Sequence, residues 1–389
     1  QKIEVQPHEL KLNSPREQAM VLVTGFLADG RVVDLSRAAQ VVSADPKIAE
    51  FRGGSVHPIA DGNCQLDVQV ANQKISVPVV VSGSGQPSPV SFRTEAVAAL
   101  TRQGCNSGAC HGSPSGKGGF QLSLQAYDLV MDERSLTLSE LGRRTNSIEP
   151  EQSLLLLKPT RAVPHAGGLQ LRTTDFAYDV LRQWIAEGCH VDEAKGKRCV
   201  SLELLPASGR VLKLPHSEQQ IIARAHFEDG AIRDVTRLTK FSSSDEHIAS
   251  LTDGGLMTGH RRGQVAVMAR YLDQLVSCQF TIVEDIEGFQ WPDPPANNYV
   301  DELVYEKLRQ LQYAPSALCS DSDFVRRVYL DVIGILPTLA EQDAFLADPS
   351  PDRRQRLIDS LLERPEYAQF WALKWGDLLR LQKQEVSET

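Results

Sequence analysis

Shifted by 200 residues, the chain matches itself. Asp29-Gly30 falls on Asp229-Gly230, Asp34 on Asp234, Ser43 on Ser243, Asp45 on Asp245, Ile48-Ala49 on Ile248-Ala249 and Gly54 on Gly254. Between these anchors run short alternating segments, "MVLVTGFL", "VVDLS", "QLDVQV" and "ISVPVVVS", then "QIIARAHF", "AIRDVT", "QVAVMARYL" and "VSCQFTIV". A period of two places one face of each segment on a core, and the Asp-Gly pairs mark hairpin turns, where glycine tolerates the positive φ. Strands recurring every ~8–12 residues over roughly 85 residues predict a β-sandwich, and the repeat predicts two.

The rhythm breaks between the copies. "SFRTEAVAALTRQG" has helical apolar spacing at Val97, Ala98 and Leu100, with Gly104 as its stop. "DFAYDVLRQWIAEG" places Phe176, Val180, Leu181, Trp184 and Ile185 on one helical face before Gly188. The stretch between is irregular and leaves a small apolar core that a prosthetic group would fill. After the second copy and a Pro-rich linker, "WPDPPANN", residues 295–389 are again helical, with capping Ser and Asp residues and i, i+3, i+4 apolar spacing. "SGSGQPSP" (82–89) reads as a looser joint. The expected order is therefore a sandwich at 1–85, a small mainly α domain at 90–195, a sandwich at 200–285 and a helical domain at 295–389, the last as the first part of a larger unit.

Inside the small α domain stands "GCNSGACHGS". Covalent haem needs two thiols for thioethers to the vinyl groups and an imidazole one residue beyond the second thiol. Cys105, Cys110 and His111 supply these, with four residues between the cysteines where the common loop has two. Ser107, Gly108 and Ala109 are small enough for the extra length to bulge outward. Zinc is the competing reading, with His165 and Cys189 as the nearest further ligands. A Cys105–Cys110 disulfide is another, but it leaves His111 without a task. A calcium site at Asp29, Asp34, Asp229 or Asp234 is weighed against ordinary turn aspartates. Cys189 and Cys199 flank a hairpin-length segment and are a candidate disulfide. Cys64 and Cys278 read as small buried hydrophobes.

The order "C…CHG…GGFQLSL…SLLLLKP…VPH…LRQWIAEG" over residues 90–190 resembles the cytochrome c domains of planctomycete-type multidomain proteins, and the "DG…D(V/L)(S/T)…SSD…IA" runs resemble bacterial Ig-like modules of the type-2 class. "FVRRVYLDVIGILPT…EQDAFLADPSPDRRQRLIDSLLERPEYAQFWALKWGDLLR" is similar to the helical domain of unknown function that accompanies such cytochromes. The resemblance implies one covalent haem c, a strand at "GGFQLSL", export to the periplasm or cell envelope, and a distal iron ligand in the loop before the last helix of the domain. That loop carries His165 where related domains carry methionine, so His111 and His165 are the implied axial pair. Met131 is the runner-up and Tyr127 a weaker candidate.

Composition narrows the alternatives. The net charge of −9 argues against nucleic acid, and no run of about eighteen apolar residues is present to span a bilayer. A start at Gln1-Lys2-Ile3 suits a chain whose leader has been removed. No phosphate loop or nucleophile elbow is found. The leading expectation is an electron carrier serving a redox partner protein of unknown identity, with Ig-like modules as spacers or as docking units for cell-envelope partners. The alternatives are a haem enzyme or gas sensor with a displaceable sixth ligand, and an exported interaction or adhesion protein.

Overall fold

The computed structural model describes residues 2–28, 30–193, 198–206 and 209–381. Two compact units result, 1–313 and 314–389. β-rich regions dominate the first and helices make up the second.

The first module comprises β1 (Lys2–Gln6), β2 (Leu10–Leu12), β3 (Ala19–Met20), β4 (Leu22–Phe26), β5 (Val32–Asp34), β6 (Gln40–Ser43), β7 (Ala49–Arg52), β8 (Ser55–Pro58), β9 (Gly62–Val70) and β10 (Gln73–Val81). These pair as β1-β4-β5, β2-β10-β9-β6 and β3-β8-β7. The second module comprises β11 (Cys199–Leu205), β12 (Arg210–Lys213), β13 (Glu218–Gln220), β14 (Ile222–Phe227), β15 (Ile232–Asp234), β16 (Lys240–Ser243), β17 (Ala249–Leu251), β18 (Leu256–Gly259), β19 (Gly263–Tyr271) and β20 (Gln274–Val283). Its order, β11-β14-β15, β12-β20-β19-β16 and β13-β18-β17, repeats the first strand for strand. Even the parallel closure recurs, β10 on β2 and β20 on β12.

The repeat register needs one correction. Arg52 pairs with Ser55 across the two-residue turn Gly53-Gly54, both with positive φ. In the second copy Thr252 N donates to Leu256 O at 2.9 Å across a three-residue turn that ends in Gly255 at φ +79°. One residue is inserted, so Gly54 corresponds to Gly255 and not to Gly254. Beyond this turn the offset is 201, and Gly62 and Gly263 both lie against an isoleucine, Ile48 or Ile248.

The modules touch each other reciprocally. Gln220 N donates to Asp34 Oδ2 at 2.5 Å and Met20 N donates to Asp234 Oδ2 at 2.7 Å. Arg37 reaches Glu218 at 2.9 Å, and Arg237 reaches Gln18 at 3.2 Å. Each partner pair maps onto the other under the same 200-residue shift, so the contact has local two-fold pseudo-symmetry. Buried Leu22 and Ile222, equivalent positions, meet at its centre beside Leu205. Asp34 and Asp234 are thus engaged by backbone N–H groups, and Asp229 caps its own turn through Ala231 N. No group of three or more metal-ligating side chains forms among the described residues. Asp29 lies outside them.

Between the modules, a π turn (Phe92–Ala96) leads into α1 (Val97–Arg102). α2 (Leu129–Thr137), α3 (Leu154–Leu157) and α4 (Phe176–Ala186) follow. Phe92 stacks on Trp184 at 5.4 Å, both fully buried. This core is continuous with that of the second module, whose Tyr271 hydroxyl donates to Thr94 O at 2.7 Å, whereas the first module keeps its own. The expected loose joint is pinned: Ser84 N and Oγ both donate to Asp61 at 2.7 Å, and Val90 N donates to Glu187 at 2.7 Å. The "GGFQLSL" strand does not form. Only Lys117 and Phe120 bridge, and a 3-10 turn begins at Leu124. Cys189 and Cys199 are free thiols, so the candidate disulfide is absent. Cys278 is buried as expected and Cys64 half-buried.

α5 (Tyr299–Gln310) ends against the second module, where the Arg262 guanidinium donates to Gln312 O at 2.9 Å and lies over the Tyr313 ring at 4.0 Å. The second unit contains α6 (Asp321–Ile333), α7 (Leu339–Ala347), α8 (Arg353–Leu362) and α9 (Pro365–Leu378) around Val325, Tyr329, Ile333, Phe345 and Leu361. A capping box of Thr338 and Glu341 starts α7, and Asp321 holds both Arg353 and Arg354 from α8.

Candidate functional site

The cysteine–histidine stretch folds as consecutive tight turns. Cys105 N donates to Leu100 O, Cys110 N to Ser107 O, and His111 N back to Cys105 O at 2.9 Å. The buried Asn106 side chain ties the loop to α1 through Thr101 Oγ1 at 2.8 Å. Gly112 packs flat on the loop, since a Cβ there would stand 2.1 Å from Asn106 O. The four intervening residues are therefore absorbed in a compact hydrogen-bonded turn that keeps Cys105 and Cys110 on one cleft.

That cleft has a volume of about 300 Å³, the lower end of the usual size for cofactor pockets. His111 lines one side and His165 another. Their ring centres are 6.4 Å apart, and their planes differ by 16°. His111 Nδ1 bonds Phe120 O at 2.9 Å and His165 Nδ1 bonds Gly168 O at 2.8 Å. An Nδ1–H donated to a carbonyl fixes the tautomer and leaves the Nε2 lone pair free, as in metal-ligating histidines. Two metal–nitrogen bonds of roughly 2 Å, plus about 1 Å from each nitrogen to its ring centre, add to roughly 6 Å. The observed separation fits an iron between the rings. Burial, with His165 as neighbour, holds His111 below the usual imidazole range, so it is neutral near pH 7. Burial, reinforced by Cys110, pushes the Cys105 thiol up to about 12. No group of three or more His, Cys, Asp or Glu placed to hold a metal ion forms among the described residues.

Two residues that the motif does not name hold His111. Arg144 is buried, donates to Ser135 O and Gly119 O at 2.7 Å each, and lies over the Phe120 ring at 4.8 Å. Phe120 in turn packs on His111 at 4.5 Å and supplies the carbonyl for its Nδ1. Their only sequence signal was a phenylalanine beside two glycines. Met131 sits in α2 and does not line the cleft, and Tyr127 points to solvent at 90% exposure.

Comparison with known proteins places one part of the chain. Residues 299–389 match the family PSCyt2, described as a protein of unknown function (DUF1549). No curated protein matches the chain. Among solved structures, domains 5–6 of the S-layer protein SbsC are 10% identical, covering 72% of this chain and 97% of that one at a TM-score of 0.29. Extracellular domains 3–5 of Drosophila OTK are 6% identical, covering 74% and 63% at 0.16. At these scores the likeness carries no weight for function. No helix among the described residues is long and apolar enough to cross a membrane.

Proposed function

We propose that the chain is an exported monohaem c-type cytochrome that passes electrons to or from a partner protein. The observation that carries this reading is the pair of imidazoles, each anchored through Nδ1 to a backbone carbonyl and facing the other at 6.4 Å across the cleft shared with Cys105 and Cys110. Bound there, haem would supply a one-electron couple, and two neutral imidazoles would give it a lower potential than a His/Met pair. Cys105 and Cys110 would hold the ring by thioethers. His111 and His165 would hold the iron, and Phe120, Leu155, Leu171 and Leu181 would exclude water from its faces. The Ig-like modules serve as a rigid platform and as docking units for cell-envelope partners.

The test is expression with export and c-type attachment, followed by a pyridine-haemochrome spectrum and intact mass. A mass increase of one haem that survives acid–acetone extraction, with a spectrum shifted as two thioethers require, is expected. Complete extraction of the haem, or no haem at all, overturns the reading.

A further inference from the structure

The cleft is electrostatically one-sided. Lys117, Arg143, Arg144 and Lys158 line it, and no aspartate or glutamate does. Acids outnumber bases in the whole chain, 50 Asp and Glu against 41 Lys and Arg, so an unbiased lining would carry both signs. Arg144 is buried and spends its donors on carbonyls. Lys117 and Arg143 are exposed and make no ion pair among the described residues, and Lys158 is exposed with its Nζ 3.3 Å from Pro164 O. Cations around an apolar floor, with no carboxylate in the lining, suit a ligand with an apolar body and anionic groups at one edge.

Resting on the haem reading above, we propose that Lys117, Arg143 and Lys158 form the seat for the two haem propionates. The ring's chemistry agrees with the distribution of side chains. Vinyl and propionate groups occupy opposite edges of the porphyrin. Cys105 packs against the buried core, while the three cations are exposed at the cleft's rim. A ring attached at the inner end presents its carboxylates to that rim. The cations keep the propionates ionised and favour the reduced iron, because reduction adds negative charge next to them.

The experiment is a spectroelectrochemical titration of the holoprotein against pH, for wild type and for Lys117→Gln, Arg143→Gln, Lys158→Gln and the Lys117→Gln/Arg143→Gln double variant. Lys158 also steadies the loop beside His165, so the double variant is decisive, provided its spectrum stays low-spin. The expected result is a lower potential in the variants and a propionate inflection moved up by about one pH unit in the double variant. Superimposable potential–pH curves with haem still attached overturn the seat while leaving the haem reading intact. So does an effect confined to the rate of electron exchange with an acidic partner protein, which assigns the cations to docking. A wild-type protein that carries no haem overturns both readings.

Discussion

His165 lies with its ring across the backbone of Gly167: a Cβ there would stand 2.9 Å from Cε1 and 3.3 Å from Nε2. Glycine at 167 is thus part of how the ring is aimed, together with the Gly168 carbonyl on Nδ1. Gly167→Ala should swing the imidazole out of line without touching Cys105, Cys110 or His111. In the holoprotein we expect a mixed or high-spin spectrum that binds carbon monoxide, while haem stays covalently attached. His165→Ala should give the fully high-spin limit, and His165→Met should restore low spin at a higher potential. An unchanged low-spin spectrum in His165→Ala would place the sixth ligand elsewhere. At this scale, legibility followed sequence distance. Cys105, Cys110 and His111 are neighbours in sequence, and the fold keeps them on one cleft. Arg144 acts on His111 through Gly119 and Phe120, and no local pattern distinguishes it from any loop arginine. Lys117, Arg143 and Lys158 line one cleft only because the irregular middle of the domain folds back on itself.

Among the elements, the two hairpins β7–β8 and β17–β18 show what a repeat hides. Gly54 and Gly255 occupy equivalent left-handed positions, φ +81° and +79°. Around Gly54 a Cβ would meet nothing within 4 Å, whereas at Gly255 it would stand 2.5 Å from Ile221 O and 3.1 Å from the Phe241 ring. Gly54→Ala should therefore show only the left-handed penalty, about 1–2 kcal/mol. Gly255→Ala adds a clash with backbone that cannot yield, and should lose clearly more in urea unfolding; equal losses would refute the difference in packing. Strand positions were readable because period-two alternation reports the buried face directly. The inserted residue was not, since adjacent glycines at 254 and 255 align equally well without the hydrogen bonds. "GGFQLSL" misled for a related reason. The family resemblance implies a strand there, but Phe120 is drawn onto His111 and Arg144, and Leu122 N is taken by His111 O at 2.8 Å. No neighbouring strand remains for it to pair with.

At the scale of the whole molecule, the modules are not separate beads. Asp34 and Asp234 looked like turn aspartates free for solvent or calcium, because their partners lie 186 and 214 residues away. In the folded chain each carboxylate satisfies a backbone N–H of the other module, Gln220 N or Met20 N, that would otherwise be left without an acceptor at a largely buried contact. Losing such a bond exposes a donor to an environment that cannot satisfy it, at about 1–3 kcal/mol. Each aspartate also caps its own turn, Asp34 through Ser36 N at 2.7 Å and Asp234 through Thr236 N at 2.9 Å. Single substitutions therefore mix a local loss with an interface loss, and a double-mutant cycle separates them. The local parts of Asp34→Ala and Asp234→Ala should add, being in different modules. The interface parts should not, because once one bond is broken and the modules loosen, the second has less to lose. We expect the double variant to be less destabilised than the sum of the singles, by more than the ~0.5 kcal/mol that independent sites allow. The first module has its own core, while the second shares one with the helical stretch between the modules. The double variant should therefore lose residues 1–81 in a step of their own, where the wild type loses the two modules together in a single transition. Strict additivity with a single transition would mean that the reciprocal contact does not couple the modules.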